Sequence, residues 1–189
     1  MIACACKEIV MGKHSSLGPI DPQFGGIAAH GLMEEFARAK KEISEDERTI
    51  AVWQPIIAKY HPTIIGECEK AIAWSKEIVK QWLVGGMFKG MEDASAKADK
   101  IIEELSNHSL TKSHARHISA QKAKDMGLEV DFLESPKGMT EHAAAQAFQD
   151  AVLSVHHSCI LSLSASPACK IIENHEGIAS IITKDSFSC

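Results

Sequence analysis

The stretch HSSLGPIDPQFGG, residues 14–26, sets the first limit on what this chain can fold into. Its two prolines and three glycines exclude a continuous helix, because an interior proline removes a backbone hydrogen bond and clashes with the preceding turn. They also exclude a central strand, where proline cannot donate to the ladder. The chain must therefore turn here, between the apolar run Ile9-Val10-Met11 and a helical segment starting near Ile27. Asp21 lies inside the turn, between Pro19 and Pro22. An aspartate in that setting either forms an Asx-turn or pre-helix cap, or is a carboxylate held rigidly enough to orient a histidine.

Outside the turn, hydrophobic spacing organises the chain. Residues 2–6 read as the end of a buried helix and Lys7 to Met11 as a short buried strand ending at Gly12. Ile27, Leu32, Phe36, Ala39 and Ile43 predict one face of a helix over 27–43. Residues 45–60 read as helical with a disturbance at Pro55, and 63–83 as a long helix buried at Ile65, Cys68, Ile72, Val79 and Leu83. Gly85-Gly86 stops that helix, and another follows over 91–105. Ser119 is placed to N-cap the short helix AQKAKDM. Gly127 fits its left-handed C-terminal position, and Leu128, Val130 and Phe132 alternate as a strand. Thr140 is expected to cap an Ala-rich helix reaching Ser164, and a hairpin turns around Glu176-Gly177. This order predicts a helix-rich α/β fold in a single domain over 1–189.

Charge and cysteine content narrow the class. Twenty-five acidic and 20 basic residues leave a net charge of −5, which gives no pull toward nucleic acid or an anionic membrane. The six cysteines are scattered without disulfide-framework spacing and no signal peptide is evident, so the expected compartment is reducing and cytoplasmic. The densest apolar stretch, 64–84, is broken by six charged residues and predicts no membrane span. MIACAC is apolar from Met1 onward with no N-cap before it, which creates the expectation that the native start lies upstream.

Candidate chemistry centres on histidines. His108, His114 and His117 cluster before a capped helix, a position suited to a catalytic imidazole. Joined to Cys4 and Cys6 they match no common zinc spacing. The pair His156-His157 reads as structural. No Gly-x-Ser-x-Gly elbow, phosphate loop or dinucleotide fingerprint is present, so neither a nucleophile nor a cofactor is expected from motifs. Ser15 and Ser16 lie in the turn, and neither opens a helix that would supply an oxyanion hole.

Three stretches in order carry a resemblance that spans nearly the whole chain: MIACACKEIVMGKHSSLGPIDPQFGG, TKSHARHISAQKAKDMGLEV and HHSCILSLSASPACKIIENHEG. They resemble the serine dehydrogenase proteinase family, distant relatives of the Clp protease proteolytic subunit. The resemblance implies a Clp-protease/crotonase-like fold of stacked βαβ units, incomplete at the N-terminus, and a homo-oligomer acting on peptide or protein substrates with a Ser, Asp, His triad. Asp21 falls where the Clp subunit has its histidine, and His114 falls close to its aspartate, so the two partners exchange addresses. His117 is the reserve base. By likeness to Ser-Lys peptidases, Lys40 or Lys41 is a further variant. The family's nucleophile sits just before the residues matching Met1-Ile2-Ala3, and its membrane anchor, where present, also lies upstream. The rival expectation is a non-catalytic oligomeric scaffold of the same fold.

Overall fold

The structure, a computed structural model, describes residues 1–24, 26–106, 117–174 and 176–183. It divides into two compact units, Met1–Phe132 and Leu133–Cys189.

In the first unit a 3-10 turn, Ile2–Ala5, precedes β1 (Ile9–Met11). The turn that follows contains β2 (Ser16–Leu17), β3 (Gln23–Phe24) and β4 (Ile27–Ala28). Four helices come next: α1 (Ala29–Glu45), α2 (Ile50–Ile57), α3 (Ile64–Gly85) and α4 (Ala94–Ser106). The unit closes with β5 (Ile118–Ser119), α5 (Ala120–Asp125) and β6 (Val130–Phe132). Among the described residues the strands pair two by two. β1 and β6 are parallel, with Ile9 opposite Val130 and Met11 opposite Phe132, so the intervening chain forms a crossover of helices. The fold is a helix-rich α/β arrangement.

The main core takes alternate residues of the apolar run in β1. Ile9 and Met11 point into it, and Val10 faces out. They meet Val79 and Leu83 from α3, Ala98, Ile101 and Leu105 from α4, and Ala123 and Leu128 around α5. Each large aliphatic side chain buried this way contributes about 1.5–3 kcal/mol against exposure. A smaller core joins Ala29 and Leu32 of α1 to Cys68 of α3, with Phe36 and Tyr60 packed against it.

Local signals set most boundaries. Ser119 Oγ accepts the Lys122 backbone N–H at the start of α5, and Gly127 adopts φ +100° after it. Gly86 caps α3, where a Cβ would stand 2.8 Å from the Trp82 carbonyl oxygen, so only glycine fits without a shift. Two expectations are corrected. Ile27 belongs to the β3–β4 hairpin and is 47% exposed, because Gly26 at φ +84° turns the chain and leaves the helix to start at Ala29. The last long helix is N-capped at Glu141, not Thr140, with no side-chain cap.

The second unit consists of α6 (His142–Ser164) and the hairpin of β7 (Ala168–Glu173) with β8 (Ala179–Thr183). α6 buries none of its residues. Its serines satisfy themselves along the helix: Ser154, Ser158 and Ser162 each donate to the carbonyl four residues back. Among the described residues no helix is long and apolar enough to cross a membrane.

Candidate active site

The antiparallel pairing of β2 with β5 builds the site. Leu17 sits opposite Ile118, and Ser16 sits opposite Ser119. Ile118 is buried in the main core and Leu17 packs against it. Because side chains alternate along a strand, the core contact of Leu17 and Ile118 turns Ser16 and Ser119 to the other face. His117, next to Ile118 in sequence, reaches Ser16: its Nδ1 lies 3.0 Å from the serine Oγ. Lys13, His14, Ser15, Ser16, His117 and Ser119 line an open cleft of about 320 Å³.

Asp21 is positioned by the neighbour that precedes it. Ile20 is 2% exposed, and its N–H donates to the Leu105 carbonyl at the end of α4, at 3.0 Å. This pins the Pro19–Pro22 segment to the core, and both Asp21 carboxylate oxygens are shielded from solvent. The bland reading of Asp21 as a cap for α1 fails. The first helical N–H, that of Ala29, donates to the Pro22 carbonyl at 2.8 Å, and Ala28 is the N-cap.

His114 and His108 lie outside the described residues. The segment that carries them is flanked by two anchors on the same turn: Leu105, bonded to Ile20, on one side, and Ile118-Ser119, paired with Leu17-Ser16, on the other. Lys40 and Lys41 are both exposed, and Lys41 pairs with Glu45 at 3.9 Å. Neither has the buried setting that a lysine base requires. Cys4 is buried and Cys6 exposed. Burial pushes the Cys4 thiol up, partly offset by the nearby N-terminal ammonium. Among the described residues no three His, Cys, Asp or Glu side chains are grouped to hold a metal ion.

The Ser16–His117 pair was not foreseen. Its signal was the alternation of apolar and polar residues in Ser16-Leu17 and His117-Ile118-Ser119, which only the strand register could join.

The family of ClpP-like SDH-type serine proteinases matches residues 1–143. The chain belongs to this family. An uncharacterised protein of Methanocaldococcus jannaschii is 28% identical over 131 residues, 69% of this chain and 37% of that relative. The chain thus spans well under half of the relative's length. No solved structure matches significantly. The match to the ClpP-like proteinases takes in Asp21, His114, His117 and the whole β2–β5 cleft. It ends at the start of α6, so nearly all of that helix and the β7–β8 hairpin lie beyond it.

Proposed function

We propose that this chain carries the general base of a Clp-like serine peptidase and the carboxylate that orients it, with His114 as the base, Asp21 as the carboxylate and a serine preceding Met1 as nucleophile. The serine would attack a peptide carbonyl as His114 takes its proton. Asp21 would hold the imidazole tautomer and stabilise the imidazolium that forms. The observation that supports this most is the placement of Asp21: its oxygens are shielded, its backbone is fixed through Ile20, and both anchors of the His114 segment sit on the same turn. A carboxylate that orients an imidazole needs that rigidity.

Self-assembly belongs to the same proposal. α6 presents Leu153, Val155, Ile160 and Leu161 to solvent, and the hairpin presents Ile172 and Ile181. Exposed apolar surface of this kind favours association. It also supports the second reading, a non-catalytic oligomeric scaffold.

The two readings separate by fluorophosphonate labelling of the protein extended upstream of Met1. The peptidase reading expects one labelled serine before Met1, with labelling lost in Asp21→Asn and His114→Gln. Equal labelling in both variants sinks the triad assignment, and no labelling at all leaves the scaffold.

A further inference from the structure

The cleft between β2 and β5 has a composition that the peptidase reading does not explain. Residues 9–20 and 117–124 contain no aspartate or glutamate. At the chain's average of 25 acidic residues in 189, about three would be expected in two segments of that combined length. These are the segments that the Ser16↔Ser119 register joins. In a protein of net charge −5, acid-free sequence therefore converges on one place.

Among the described residues the lining of the cleft is a lysine, two imidazoles and three hydroxyls, with no carboxylate. The hydroxyls are also biased toward donation. Ser15 Oγ accepts the Gly12 backbone N–H at 3.1 Å, and Ser119 Oγ accepts the Lys122 N–H at 3.3 Å. A hydroxyl that accepts from the backbone keeps its own hydrogen for another partner. If Ser16 donates to His117 Nδ1, the neutral ring carries its hydrogen on Nε2, a further donor. Among the described residues the cleft thus presents donors and one lysine, and little that accepts. A ligand rich in donors would find no match, and a cation would meet Lys13. An oxyanion matches both properties, and hydrogen bonds to an ionised acceptor are roughly twice as strong as neutral ones.

We propose that the β2–β5 cleft is an oxyanion-binding site that takes a carboxylate or phosphate group through Lys13, the Nε2–H of His117 and the hydroxyls of Ser15 and Ser119, with Ser16 setting the His117 tautomer. Binding needs no nucleophile, so this site is independent of the peptidase reading and survives its failure.

The test uses the 189-residue protein at constant ionic strength. It is titrated with sodium phosphate, with an N-acetylated tripeptide bearing a free C-terminal carboxylate, and with the C-terminal amide of the same tripeptide. The readouts are the His117 ring signals and the Ser16 and Ser119 amide signals in nuclear magnetic resonance spectra. The expected result is a saturating shift with one or both anions and none with the amide. The anion that saturates at lower concentration identifies free phosphate or a peptide terminus as the source. Lys13→Gln and His117→Gln should each weaken binding about tenfold, the loss of one charge-assisted bond. Lys89→Gln, far from the cleft in sequence and exposed, should leave it unchanged. Ser16→Ala gives a third check that removes no charge, with a smaller loss expected. The proposal is overturned by shifts that never saturate, by equal shifts with the amide, or by binding that persists unweakened in both Lys13→Gln and His117→Gln.

Discussion

Ser16 Oγ and His117 Nδ1 meet at 3.0 Å although 101 positions separate them. The contact bears on which histidine serves as base. In a serine-peptidase triad the second ring nitrogen is held by a carboxylate, which selects the tautomer and stabilises the imidazolium. His117 has a neutral hydroxyl at Nδ1 instead. A hydroxyl orients the ring but gives the imidazolium far less electrostatic support. The proposed triad therefore keeps His114 as its base and assigns His117 to the cleft.

The first prediction follows. In the protein extended upstream of Met1, Asp21→Asn should keep the fold and lower turnover by roughly 10⁴, on the analogy of the serine-protease triad. His117→Gln should retain most of the activity. Kinetics on a fluorogenic peptide decide between the two. A loss in His117→Gln as deep as that in His114→Gln would move the base to His117.

The second concerns the core. Leu83 is fully buried in α3 among the side chains of the main cluster. Leu83→Ala should cost about 2–5 kcal/mol, the range for a large-to-small change that leaves a cavity. Trp74 lies on the same helix but is 66% exposed, and Trp74→Ala should fall within about 0.5 kcal/mol of wild type. Urea unfolding followed by circular dichroism measures both. Comparable losses would mean that the outer face of α3 is covered in the folded protein.

What the sequence revealed, and what it hid, divides along the range of the interactions. The end of α3 at Gly85-Gly86, the Ser119 cap and the left-handed Gly127 were legible because each is settled within a few residues. The apolar spacing of α1, α3 and α4 located the helices that build the core, since the buried face of a helix repeats along the sequence itself. Ile27 was misassigned because a two-residue hairpin outcompeted helical periodicity at the helix start. Asp21 could be singled out from its prolines. The contact that fixes its backbone, Ile20 to Leu105, lies across the fold and leaves no local trace. The Ser16–His117 pair was hidden for the same reason, since it depends on a register between segments a hundred residues apart.

The third prediction uses the thiols. Cys4 and Cys68 are buried, and Cys6, Cys159 and Cys169 are exposed. Burial raises the Cys68 thiol, with the charge of Glu67 adding to the effect, and burial likewise raises Cys4. The thiolate is the reactive form. In native protein at neutral pH iodoacetamide should therefore modify Cys6, Cys159 and Cys169 first, and reach Cys4 and Cys68 only in denaturant. Mass spectrometry of the digest reads this directly. Cys159 lies on α6, so its labelling should also slow at higher protein concentration if copies associate through that helix. Rapid native modification of Cys68 would contradict the packing of α1 against α3.

The last prediction is a pH dependence located at the junction of α1 and α2. Glu42 accepts from two groups: Arg38 Nε donates to Oε1 at 2.9 Å, and the indole N–H of Trp53 donates to Oε2 at 2.9 Å. The Arg38 guanidinium also stands 5.3 Å from the centre of the Trp53 ring. The Arg38 bond, followed by the Trp53 bond, holds the Glu42 carboxyl below its usual range. A carboxylate whose folded pKa is lowered adds stability that is fully present above the unfolded value, about 4.3. That stability is lost as the pH falls through the lowered folded value. The contribution should therefore be constant around neutrality and disappear only in acid. Trp53 is the reporter, because its ring is buried and its indole hydrogen bonds to the titrating group. Its indole signal should move in acid, below the normal glutamate range, in the wild-type protein. Glu42→Gln keeps an oxygen to accept from Trp53 but cannot titrate, so the same signal should stay still over that range. The stability of Glu42→Gln should also match wild type more closely in acid than at neutral pH. An unchanged acid transition of the Trp53 signal in Glu42→Gln would show that another group controls it and that the Arg38–Glu42–Trp53 arrangement does not persist in solution.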